Sequence, residues 1–128
     1  MNKPKYPPGA ICDAALEYLE TLDFVDKFLL GERLEQGFDL ALAGVISKRP
    51  EDAWIDGEPH RIFDIHISDP FQSQSSYMVD YDGKTCECSF FQEKSRCEHL
   101  VAVNIHVRAF RITLTWLVNQ NKKAKDQP

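Results

Sequence analysis

Near the start of the chain, Ile11, Ala15, Tyr18, Leu19 and Leu22 recur at helical spacing, while Asp13, Glu17 and Glu20 take the other side. The pattern predicts a helix from about Gly9 or Ala10 into the low twenties, with Asp13 at the positive end of its dipole. Cys12 falls in this helix and reads as a small buried hydrophobe. Residues 23–35 continue helically. Asp23 is placed to cap a second helix, Gly31 and Gly37 to end helical segments, and Phe24, Val25, Phe28, Leu29 and Leu34 to enter the core. From Phe38 the pattern turns extended, and Leu40, Leu42, Val45 and Ile46 predict a strand with a bulge at Gly44.

Residues 47–59 read as a loop in which Trp54-Ile55 adds a short strand. Arg61 to Ile67 alternates, with Phe63, Ile65 and Ile67 on one face and Asp64 and His66 on the other. A polar turn region follows, from Asp69 to Ser76. Ser76 to Tyr81 is a predicted strand, and Asp82-Gly83 is a two-residue hairpin turn, since both residue types tolerate positive φ. Counting outward pairs Tyr81 with Lys84, Val79 with Cys86 and Tyr77 with Cys88. Opposed residues share a face, so both thiols lie with Tyr77 and Val79, and Glu87 points away. Residues 89–96 form a short connection in which Phe90 or Phe91 shields the thiols. A helix starting near Cys97 then places Leu100, Val103, Val107, Phe110, Leu114 and Leu117 in one stripe. Arg111 to Val118 also alternates as a strand would, so both forms stay open there.

The fold class is therefore α+β: an N-terminal helical segment, a small antiparallel sheet with a β-hairpin that carries Cys86 and Cys88 as a candidate zinc-binding pair of thiols, and a C-terminal helix. Residues 1–9 are a flexible arm. Residues 10–118 are expected to be a single domain, divided into a helical part (10–36) and a module built around the hairpin (37–110), and residues 119–128 a disordered tail.

Chemistry concentrates in one place. Cys86, Cys88, Cys97 and His99 bring three of the four cysteines and one of the four histidines into a short stretch. Three thiolates and an imidazole complete the tetrahedral set of a closed structural zinc site, leaving no position for water or substrate. Adjacent C-x-C pairs are poor disulfide partners. Cys97 and His99 converge only if Cys97 stands at or before the first helical turn. His106 lies two turns further on and cannot reach the same ion, and His60 and His66 are weaker metal candidates. No catalytic constellation appears, so neither an enzyme nor a small-molecule substrate is expected.

The net charge of −5 argues against a general nucleic-acid binder, but its distribution is uneven. Asp13 to Asp39 holds eight acids against Lys27 and Arg33. Lys84, Lys94, Arg96, Arg108 and Arg111 make a basic set around the zinc stretch, and Lys122, Lys123 and Lys125 follow. These are the candidate nucleic-acid contacts. Met1 to Pro8 lacks the apolar run of a signal peptide. Residues 100–118 are interrupted by Asn104, His106, Arg108 and Arg111, which disfavours a membrane span. A cytoplasmic or nuclear location is expected, where clustered cysteines point to metal.

Cys86-x-Cys88 and Cys97-x-His99, with Ala102 three residues later, resemble the SWIM zinc-binding motif. Gly37 with Gly44-Val45, the two strands before Cys86, and the aromatic after Cys88 are similar to that family's surroundings. The resemblance covers roughly residues 33–110 and implies a β-hairpin and helix around one zinc ion. It further implies a non-enzymatic adaptor in a DNA transaction such as recombination, repair or transposition. The partner would be another protein, such as a recombinase, helicase or transposase component, with direct DNA binding as the alternative.

Overall fold

The computed structural model describes residues 9–67 and 76–126, with side chains described as far as Lys122. Helix α1, Ala10–Glu20, buries Ile11, Ala14 and Tyr18, and the Thr21 hydroxyl donates to the Tyr18 carbonyl at 2.6 Å where it ends. Asp23 caps α2, Phe24–Leu30, as expected, its carboxylate accepting the Asp26 N–H at 2.8 Å. The core assignment of α2 is corrected. Phe24 and Phe28 are 81% and 74% exposed, Val25 and Leu29 are exposed as well, and Leu30 alone is buried. Cys12 is likewise exposed.

Gly37 does not end a helix, and residues 38–43 are not a strand: both lie in α3, Arg33–Ala43, which stops at Gly44. The physical reason is tertiary. A Cβ on Gly37 would stand 2.4 Å from Val101 Cγ1 and 2.9 Å from the Glu98 carbonyl, so the missing side chain lets α3 lie directly against the last helix. Leu34, Phe38 and Ala41, spaced three and four apart, turn to the core, while Leu42 is exposed. The boundary drawn between residues 36 and 37 thus falls inside a helix.

The main sheet is antiparallel, in the order β1-β4-β5-β6: Ile46–Lys48, Ile62–His66, Ser76–Asp80 and Thr85–Cys86. Phe63 and Ile65 of β4 are buried as the alternation required. The predicted Trp54-Ile55 strand is β2, Ala53–Ile55. It pairs with β3, Glu58–His60, across Asp56-Gly57, both at positive φ. The expected polar turn at 69–75 lies outside the described residues.

In the β5–β6 hairpin the predicted register holds at Val79 opposite Cys86. The ladder closes at Asp80–Thr85, however, and Tyr81 donates to the Arg61 carbonyl at 3.0 Å instead of pairing with Lys84. Asp80, nearly buried, fixes this turn. Its carboxylate accepts the Gly83 N–H at 2.8 Å and contacts His60 Nδ1 at 2.7 Å.

The expected connection at 89–96 contains a helix, α4, Ser89–Lys94. The last helix, α5, runs from Glu98 to Asp126, so residues 111–118 are helical, and 119–126 continue the helix where a disordered tail was expected. Its first half is the spine of the molecule. Val101, Ala102, Val103, Ile105 and Ala109 are buried between α1, α3 and the sheet. The apolar stripe predicted through Leu117 is buried only in part: Phe110, Leu114 and Leu117 are each about half exposed. By length and composition alone, Glu98–Lys122 is apolar enough to cross a membrane, but its N-terminal half is committed to this core.

Candidate metal centre

Four side chains from three segments converge on one buried point. Cys86 ends strand β6, Cys88 caps α4, Cys97 immediately precedes α5, and His99 lies in the first turn of α5. All four are buried, and their ligand atoms lie within 4.8 Å of one another. Cys97 stands before the first turn, as convergence with His99 requires. Cys88 lies beyond the end of the strand that carries Cys86, so the two thiols come from a strand and a helix cap rather than from one strand.

The donor set fits a zinc ion. A tetrahedron with Zn–S bonds of about 2.3 Å and Zn–N bonds of about 2.0 Å has mixed edges of roughly 3.6 Å, and Cys86 Sγ and His99 Nδ1 are 3.7 Å apart. Burial pushes the Cys88 thiol up, and the adjoining Cys86 thiol together with burial pushes Cys97 up strongly. Three thiolates packed this closely repel one another and call for a cation to balance them. Backbone N–H groups supply part of that balance: Phe91 donates to Cys88 Sγ at 3.4 Å and Leu100 to Cys97 Sγ at 3.5 Å.

The surroundings that orient the ligands were not legible as motifs. With Nδ1 turned to Cys86, His99 Nε2 faces the Glu98 carboxylate at 3.8 Å. Glu98 also accepts from Arg33 at 2.8 Å, and the Arg33 guanidinium lies 3.5 Å over the Phe90 ring. On its other side the His99 ring stacks on Tyr77 at 4.3 Å. A carboxylate behind a ligating imidazole fixes its orientation and raises its basicity. Here that carboxylate is in turn tied to α3 and α4 through Arg33. Phe90 and Phe91 both pack against the core cluster that contains the cysteines.

The other titratable candidates lie elsewhere. His66 is exposed and 3.1 Å from the Ser47 hydroxyl; His60 belongs to the Asp80 turn; His106 packs edge-on against Phe63. Of the proposed basic contacts, Arg96 bonds Asp26 at 2.9 Å, and Arg108 and Arg111 both meet Glu17. Lys84 and Lys94 are exposed. The sequence's acidic N-terminal part and basic C-terminal part therefore meet inside one molecule.

A small α+β body closed around a buried Cys3His cluster is a structural zinc-binding domain. The family match is specific: residues 77–108 match the SWIM zinc finger, and the four clustered side chains fit its one structural zinc ion. No curated protein and no solved structure matches the chain.

Proposed function

We propose that this chain is a non-enzymatic interaction adaptor, acting in a DNA transaction such as recombination, repair or transposition, in which zinc fixes the scaffold and another protein is the partner. The zinc finger is generally a binding module, and a closed four-residue ligand set supports a structural ion. The observation that carries the reading is the fate of the charged and apolar side chains. Arg96, Arg108 and Arg111 are engaged by Asp26 and Glu17, whereas Phe24, Val25 and Phe28 are exposed on α2, outside the core formed by the described residues. Exposed aromatic side chains clustered this way are common at protein interfaces.

A fluorescence-anisotropy titration with single- and double-stranded DNA at low salt separates this reading from direct nucleic-acid binding. The adaptor reading expects no saturable binding. An affinity that falls steeply with salt and is lost in the Lys84→Glu/Lys94→Glu variant would overturn it in favour of DNA contact.

A further inference from the structure

Two apolar surfaces stay open beside the core and away from the metal cluster, and they lie on one side of one helix. The first is a groove of about 390 Å3 between α1 and α3, walled by Leu16, Leu19, Leu34 and Phe38 and floored by Val101 and Ile105 of α5. The second is the outer half of α5, where Leu114 to Lys122 are all exposed and Trp116 is 45% exposed. Eleven residues make about three helical turns. Ile112 and Trp116, each eleven residues beyond Val101 and Ile105, therefore stand on the groove side of α5. At about 1.5 Å per residue, Trp116 is roughly 16 Å past Ile105 on one unbroken helix. It cannot reach the groove of its own chain.

We propose that two copies of this chain associate antiparallel along that side of α5, so that Trp116 of each enters the groove of the other. The arrangement is two-fold symmetric and closes on itself.

Charge supports a second copy as the occupant. Helix α1 runs antiparallel to α5, since Glu17 meets Arg111 while Tyr18 and Leu22 share a cavity with Leu100 and Asn104. The C-terminal end of α1, with Glu20, therefore lies near the start of α5. Helix α3 begins at the same level, where Arg33 bonds Glu98, and Glu35 lines the groove. Arg33, the base on this stretch of α3, is taken by Glu98. Glu35 is thus the charged side chain in the groove lining, and Glu20 and Glu32 stand at the adjoining ends of the two helices that wall it. In the antiparallel pair the helix end approaching it carries Lys122, followed in sequence by Lys123 and Lys125 against Asp126.

Sedimentation velocity on the zinc-loaded full chain tests the pairing. The expected result is a monomer–dimer equilibrium that shifts toward monomer as salt rises. Truncating a central aromatic anchor commonly weakens an interface roughly thirtyfold or more, so Trp116→Ala should raise the dimer dissociation constant by at least that factor. Since Trp116 is solvent-exposed in the single copy, its circular dichroism should not change. Glu35→Lys should weaken the dimer, and combining it with Lys122→Glu should restore it. In a Trp54→Phe background, Trp116 emission should move to shorter wavelength as concentration rises. A chain that stays monomeric up to its solubility limit overturns the proposal, as does a dimer indifferent to both Trp116→Ala and the charge exchange.

Discussion

Replacing Gly37 with alanine sets two effects of known sign against each other. In an exposed helix interior the change stabilises by about 1 kcal/mol, because glycine loses more backbone freedom on folding. At this position the new Cβ would lie 2.4 Å from Val101 Cγ1, 2.6 Å from Val101 Cβ and 2.9 Å from the Glu98 carbonyl. Ordinary carbon–carbon contact is about 3.5–4.0 Å, so α3 has to retreat from α5 by an ångström or so. Overpacking of a filled core typically costs about 1–3 kcal/mol, and contact with backbone as well as side chain puts this case near the top of that range.

The net expectation is a loss of about 2 kcal/mol, or roughly 6–10 °C in Tm for a chain of this size. Glu98 lies between two ligands of the cluster, so the shift should also weaken metal retention. Val101→Ala in the same molecule removes the nearest atom but neither the Val101 Cβ nor the carbonyl, and should restore only part of the loss. Thermal and denaturant unfolding of the zinc-loaded protein, with a chelator competition alongside, measure all three. A Gly37→Ala protein as stable as the parent, or more stable, would refute the claim that α3 and α5 meet backbone to backbone here.

Other expectations concern the surroundings of the cluster and the hairpin turn. Glu98→Gln should lower metal affinity by roughly 10–100-fold, the usual cost of losing the carboxylate behind a ligating histidine, as read by competition with a chromophoric chelator; unchanged affinity would deny Glu98 that role. The hydrogen bond to Asp80 raises the His60 pKa above its ordinary 6.5, with burial partly opposing. Stability from this pair is therefore fully present below about pH 6.5 and lost as pH rises through the raised value. Burial lowers the His106 pKa, which acts in the opposite sense by disfavouring acid conditions. The difference in stability between the parent and His60→Gln, followed from pH 5 to 9, should shrink as pH rises; a flat difference would dismiss the pairing.

The local features of this chain were legible because local chemistry determines them. Asp23 caps a helix through its own carboxylate, and Val79 stands opposite Cys86 as counted, although the turn between them is a four-residue loop with Lys84 at positive φ in place of the expected two-residue Asp82-Gly83 turn. The four ligands were legible because zinc restricts residue type and spacing. What the sequence concealed depends on contacts across the fold. Gly37 looked like a helix stop because its value lies in Val101, far along the chain. Phe24 and Phe28 looked like core because hydrophobicity does not reveal that a short helix buries Leu30 and leaves its aromatic side chains outside. The pairing of Arg96 with Asp26 and of Arg111 with Glu17 joins residues far apart in the chain, which charge counting along the sequence does not reveal. The Tyr77 stack and the Glu98–Arg33 link depend on which side of His99 each neighbour occupies.

The central claim is that one structural zinc ion, held by Cys86, Cys88, Cys97 and His99, maintains the fold around it. Metal analysis of the full chain purified without chelator, followed by removal of the metal under circular dichroism, tests it most directly. Structural zinc contributes on the order of 10 kcal/mol or more of apparent binding energy. The account therefore expects one zinc per chain, its loss in both Cys88→Ser and His99→Ala, and cooperative loss of tertiary signal on chelation, reversed by added zinc. Protein without stoichiometric zinc, or an unchanged spectrum and Tm after the metal is stripped, would contradict it.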